Sequence, residues 1–181
     1  TNYRFQLAKI YGQQGKIGLM YENYLELIVR NKKYTQSVKN ILNRTINNDP
    51  ENENNQLLKG ILLQKVQETE DENLAEFLIW LFIQEKDFQA AFEQEKAMDK
   101  RLKFGQKKLF ELASICRKNK DFETAKNCYA YIINLGAESK YYLDAQTALL
   151  RVKKELLEGQ PETNKEDWLL LEQEYLTSFF A

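Results

Sequence analysis

The sequence predicts an all-α chain built from repeated helix pairs, and three observations carry that reading. Its 181 residues hold only two prolines and seven glycines, too few turn residues for a β-sandwich or barrel of this size. Hydrophobic residues make up 43% and charged residues 29%, the composition of a folded chain and not of a disordered one. Third, Lys86-Asp87-Phe88-Gln89-Ala90-Ala91 has a near copy in Lys120-Asp121-Phe122-Glu123-Thr124-Ala125, 34 residues on. Both read K-D-F-x-x-A, and a fixed period of this length marks a unit of two helices.

The elements follow in order. Residues 17–30 read as a helix. Tyr34 through Asn47 reads as a second, with Ile41, Leu42 and Ile46 as its stripe. Leu57, Leu58, Ile61, Leu62 and Val66 define a third. Around the two copies, Leu78 corresponds to Leu112, Phe82 to Cys116 and Met98 to Ile132. Leu109, Leu112, Ala113 and Cys116 fall at helical spacing. After a break at Asn119-Lys120-Asp121 the spacing resumes through Phe122, Ala125, Tyr129, Ile132 and Ile133. Each unit is therefore helix, tight turn, helix. Asp87 and Asp121 stand where the second helix needs an N-cap, and Gly136 stops its helix as a C′ glycine does. Residues 139–158 read as one long helix, broken by Gly159-Gln160-Pro161. A last amphipathic helix covers 165–180, and the chain closes on the apolar Ser178-Phe179-Phe180-Ala181.

Composition narrows function further. There is no histidine, which removes Ser-His-Asp and Cys-His nucleophile systems and every His-ligated metal site. No glycine-rich phosphate loop, nucleophile elbow or CxxC is present. The stretch Asp49–Asn54 offers oxygens without the central glycine of a calcium loop. We therefore expect no enzyme and no cofactor. Cys116 and Cys128, the only thiols, fall on successive helices at positions that need not face each other, and read as small buried hydrophobes.

No run of 18 apolar residues occurs, so no membrane span is expected. No signal peptide starts the chain. The first residue is Thr1, which reads as a processed form or a segment of a longer repeat protein. The compartment stays open between cytoplasm and export.

The net charge is −1 but segregated. Residues 1–34 carry six basic and two acidic side chains, 49–99 four and thirteen, and 100–128 nine and three. Solvated helix faces account for such runs, and opposite-sign patches also steer charged partners. A near-neutral total argues against a dedicated nucleic-acid binder.

These residues together resemble the tetratricopeptide repeat (TPR) family, a helix–turn–helix of 34 residues. With Thr1 as the first repeat position, Leu7, Ala8, Tyr11, Gly15, Tyr24 and Leu27 fall on the family pattern. The unit from Glu72 offers Ala75, Leu78, Phe82, Phe88, Ala91 and Met98. The unit from Gln106 offers Leu109, Leu112, Ala113, Phe122, Ala125 and Tyr129. Lys86 and Lys120 stand where the family has its turn glycine, and Ile79 and Ile132 are larger than the pattern prefers. The resemblance implies a right-handed α-α superhelix of about five helix pairs, with units near 1–33, 34–70, 71–104, 105–137 and 138–181. It also implies a concave groove lined by the first helix of each unit.

Carried onto this chain, the groove positions include Phe5 and Lys9 in the first unit. Trp80 and Gln84 follow in the Glu72 unit, then Lys107, Phe110, Arg117 and Lys118 in the Gln106 unit, and Tyr141 and Arg151 in the last. Aromatic anchors beside cations suit a protein or peptide partner, with Lys107, Arg117 and Lys118 favouring an acidic one. Packing of Trp80 and Phe110 between repeats is the plainer alternative. A spacer inside a larger assembly, with no groove ligand, is the second functional reading. RNA binding through the 100–128 basic run is a third, weighed down by the neutral total charge.

Overall fold

Ten α-helices follow one another in the computed structural model, with no strand among the described residues. The description covers residues 2–46, 49, 51–103, 106–162 and 164–180, without the side chains of Asn2, Phe179 and Phe180. The expected helix end at Asn47 and the side chains of the apolar Phe179-Phe180 end fall outside it. The chain forms two compact units, residues 1–91 and 92–181.

In the first unit, α1 (Asn2–Gln13) and α2 (Ile17–Arg30) pack as an antiparallel pair. The turn between them places Gly15 at φ +73°, and Lys16 N–H donates to the Tyr11 carbonyl at 2.9 Å. That six-to-one bond closes the helix end in a Schellman turn, which needs a left-handed residue at the glycine position. Helix α2 is apolar on more than one face. Met20, Tyr21, Tyr24, Leu25, Leu27 and Ile28 are all buried, because α2 also meets α4 (Glu53–Thr69) and α5 (Glu72–Gln84). A helix buried on several sides gives up its polar stripe. Helix α5 does the same, burying Leu74, Ala75, Phe77, Leu78, Ile79, Leu81 and Phe82.

Between α2 and α4 the helix expected over 34–47 is cut short. A 3-10 turn, Lys32–Tyr34, leads into α3 (Thr35–Leu42). Helix α3 ends where the Asn43-Arg44-Thr45 turn begins, and Thr45 Oγ1 donates back to the Leu42 carbonyl at 3.0 Å. Asn and Thr offer the backbone local alternatives to helix. Ile46 is buried nonetheless, from outside any helix. Helices α4 and α5 then pack across a tight turn in which Glu70 takes φ +50° and Asp71 caps α5, accepting from Asn73 and Leu74 N–H. Near the end of α5, Glu85 is fully buried. Lys59 Nζ on α4 lies 2.9 Å from its Oε2, off the hydrogen-bond direction, and no donor among the described residues bonds either oxygen.

The corner after α5 confirms the period seen in the sequence. Lys86 takes φ +59° and Asp87 N–H donates to the Phe82 carbonyl at 2.9 Å. The corner after α7 (Gln106–Lys118) repeats it residue for residue. There Lys120 takes φ +64° and Asp121 N–H donates to the Cys116 carbonyl at 3.0 Å. The caps repeat as well: Asp87 Oδ1 accepts from Ala90 N–H and Asp121 Oδ1 from Thr124 N–H, each at 3.1 Å. Those bonds start α6 (Phe88–Leu102) and α8 (Phe122–Asn134).

In the second unit, α8 packs on α7 on one side and on α9 (Tyr142–Glu158) on the other, and α9 carries α10 (Lys165–Phe180). Gly136, at φ +94°, ends α8 as expected. The core sets small side chains, Ala113, Cys116, Ala125, Cys128 and Ala145, among larger ones such as Leu109, Leu112, Tyr129, Ile132 and Val152. The cysteines, whose positions did not require contact, do meet. Both are free and buried, and the hydrogen bond to Cys116, with burial, raises the pKa of Cys128 far above that of an ordinary thiol. From α6, Asp99 accepts the Tyr131 hydroxyl at 3.0 Å. Burial and that carboxylate push the Tyr131 pKa up to about 12.

Candidate binding face

The ten residues expected to line a groove divide between the units. Phe5, Lys9, Trp80 and Gln84 belong to residues 1–91. Lys107, Phe110, Arg117, Lys118, Tyr141 and Arg151 belong to 92–181. Each unit has an aromatic–cation cluster of its own.

The second unit's cluster is the fuller one, and it is assembled by α7, α8, α9 and the loop before α9. Phe110 is half-buried on α7. Its ring meets Tyr129 of α8 edge-on at 5.3 Å and Tyr141 at 5.7 Å. Ser139 sets Tyr141 in place: its buried hydroxyl donates to Gln106 Oε1 at 2.9 Å and accepts from Tyr141 N–H at 3.4 Å. One turn along α7 from Phe110, Ser114 Oγ lies 3.4 Å from Tyr129 Oη. Arg117 follows, donating to Glu155 Oε1 of α9 at 2.7 Å. Burial raises the Tyr129 pKa, while Ser114 and the charges of Arg117 and Arg151 pull it back. Both guanidinium groups thus lie close enough to act on one buried hydroxyl.

Arg117 and Arg151 are themselves 34 residues apart. Lys107, Lys118 and Arg151 are exposed, and Lys107 is 3.6 Å from Glu111 on its own helix. Glu155 already holds Arg117, one of the expected anchors. Glu155 and Tyr129 are the members that sequence reasoning missed. Tyr129 read as core because it lies on the buried stripe of α8. For Glu155 one signal was available, its place four residues after Arg151 on the same helix.

The first unit forms two smaller groups. Phe5 meets Tyr24 at 5.7 Å and Tyr34 at 6.4 Å, with Lys9 Nζ 5.0 Å from its ring centre. Trp80, half-buried, leans on the fully buried Phe77 at 4.8 Å. Lys39 Nζ of α3 stands 5.6 Å from the Trp80 ring, within cation–π reach. Lys32 Nζ pairs with Glu76 one turn before Trp80, at 3.2 Å. The short segment that replaces a full helix at 32–42 therefore supplies the cations that meet this face of α5. Gln84 is half-buried at the last turn of α5.

No protein-family model matches the chain, and a search of curated proteins returns no match either. Among the described residues, no three His, Cys, Asp or Glu side chains converge to hold a metal ion, and no helix is long and apolar enough to cross a membrane. The established architecture is an all-helical chain of packed adjacent helix pairs, compatible with a helical repeat.

Proposed function

We propose that the chain is a TPR-type helical-repeat scaffold, a right-handed α-α superhelix without enzymatic activity, that binds an acidic segment of a partner protein. The observation that carries this reading is the second-unit cluster. Phe110 and Tyr141 offer half-buried aromatic surface, Arg117 stands two turns along α7 from Phe110, and α9, which holds Arg117 through Glu155, also carries the exposed Arg151. An acidic peptide lying there gains aromatic contact area and charge-assisted hydrogen bonds, with guanidinium groups suited to carboxylates. Glu155 occupies Arg117 in the free protein and sets a threshold: a weak anion does not displace it.

The test uses fluorescein-labelled peptides of matched length, one set mixing apolar residues with Asp and Glu, the other with Lys in their place. The acidic set binds and the basic set does not. Arg151→Ala weakens binding about tenfold, the scale of one charge-assisted hydrogen bond. Equal binding of both sets, or none of either, overturns the reading. A spacer role is the second reading, and the exposed apolar residues of α10 are what favour it.

A further inference from the structure

We infer that α10 is an exchangeable arm: the face of α9 on which it lies also takes the α10 of a second copy, so that two chains trade this helix. The structure shows what fills that face, because α10 itself lies there. Leu171 is the one buried side chain described on α10. Lys153 of α9 donates to both carboxylate oxygens of Glu174 at 2.6 Å. The same helix from another copy brings the same Leu171 and the same Glu174, so the seat needs no surface that the chain lacks.

Two features ease the trade. First, α10 is loosely seated. A cleft of about 540 Å³ runs along the seam, walled by Ile133 of α8, Leu149 and Leu150 of α9 and Leu170 of α10. A second, of about 180 Å³, lies nearer the connection, between Leu156 and Leu157 of α9 and Leu170 and Leu171 of α10. Close-packed helices leave no such gaps. The Lys153–Glu174 pair joins partly exposed side chains, where an ion pair adds little. Second, the connection ties itself to nothing across the helices. Gly159, Gln160, Pro161 and Glu162 are all exposed. The hydrogen bonds described for this stretch are local: Gln160 N–H reaches the Leu157 carbonyl, and Asn164 Oδ1 accepts from Glu166 N–H. Within one chain the tether holds α10 at an effective concentration on the order of millimolar. Single chains therefore dominate in dilute solution, and the exchanged pair gains with concentration. Each arm remakes the other's seat, so the pair closes with two-fold symmetry.

Charge reversal at the seat tests this in the whole chain. K153E sets two carboxylates against each other and E174K two ammonium groups. A pair of identical variants keeps its clash whether or not the arms are traded. In an equal mixture, trading alone restores opposite charges at both seats. The two variants are mixed at several hundred micromolar and followed by sedimentation velocity to a constant mass. A one-to-one pair forms about tenfold more readily than in either variant alone, the scale of two partly exposed ion pairs. Circular dichroism checks that each variant keeps its helices. A further variant shortens the connection. Deleting residues 159–163 leaves Asn164 alone between the helices, fewer than the about two to five residues on which an antiparallel helix pair reverses. That chain is a dimer at concentrations where the unaltered one is a monomer. A mixture that stays monomeric overturns the proposal, as does a shortened chain that does not pair. Pairing as strong in either variant alone also overturns it, because the contact then lies away from the Lys153–Glu174 seat.

Discussion

The two units solve the same packing problem with different side chains. Residues 1–91 fill their core with large ones, among them Tyr21, Tyr24, Phe77 and a set of leucines, all almost fully buried. Helices α2 and α5 each bury most of their circumference. Residues 92–181 place small residues where α7, α8 and α9 cross, and each of these helices meets its sequence neighbours in turn. Small residues let backbones approach, and regular stacking follows from a repeated sequence. The difference teaches that one corner geometry serves both arrangements. The turns at Gly15, Lys86 and Lys120 are alike, while the cores they serve are not.

This contrast makes the units vulnerable in opposite ways. The largest effect expected is Phe77→Ala, which leaves a cavity in the first core and costs about 4 kcal/mol, read as a lower denaturant midpoint. Lys59→Met comes next. It strands the Glu85 carboxylate without its ammonium and costs about 3 kcal/mol, whereas the double change Lys59→Met with Glu85→Met recovers most of that loss. If the single and double variants unfold alike, the buried pair is not what holds α4 to the end of α5. In the second unit the damaging change is enlargement. Ala125→Leu overpacks the α8 crossing and costs about 2 kcal/mol, while an insensitive Ala125 would mean that the helices there stand further apart than the burial implies.

A smaller effect attends Tyr131→Phe. Losing its hydrogen bond to Asp99 costs about 1 kcal/mol at neutral pH. The hydroxyl ionises at about 12 in the fold against 10 for an ordinary tyrosine. The unfolded chain therefore releases this proton first. The stability tied to it is complete below pH 10 and is lost as the pH rises from 10 to about 12. The Phe variant loses less stability across that window, which base titration followed by circular dichroism measures. Smallest is Lys86→Gly or Lys120→Gly. Each removes the strain of a side chain at left-handed φ, offset in part by the freedom glycine adds to the unfolded chain, for a net gain of about 0.5 kcal/mol.

What could be read in advance was local. The Asp87 and Asp121 caps, the corner at 119–121 and the stop at Gly136 depend on residues within a few positions of one another, so the residue pattern carries them. Helices 17–30 and 165–180 were legible in the same way, from apolar spacing and breakers, and so was the helix expected over 139–158, which starts only at Tyr142 because residues 139–141 form a turn. Less legible was whatever depends on a partner far along the chain. The Arg117–Glu155 ion pair joins residues on different helices, and the only sequence signal near it, the spacing of Glu155 from Arg151, points along α9 and not to Arg117. The brevity of α3 was hidden because Ile41, Leu42 and Ile46 keep helical spacing although the helix has ended by Asn43, so a buried residue in a turn imitates a helical stripe. In the second cluster, the repeat period names Phe110, Tyr141 and Arg117 but not Glu155, the carboxylate that holds Arg117. Within its own unit Trp80 meets Phe77 and Lys39, and Lys39 lies on α3, outside the residues that carry the repeat pattern.

The buried thiol pair gives the second unit an internal clock. Only the thiolate reacts with alkylating reagents, and Cys128 is both shielded from solvent and reluctant to lose its proton. Labelling of this chain must wait for the packing around α7 and α8 to open. Residues 1–91 contain no cysteine, so the rate at which reagent is taken up counts openings of the second unit and is blind to those of the first.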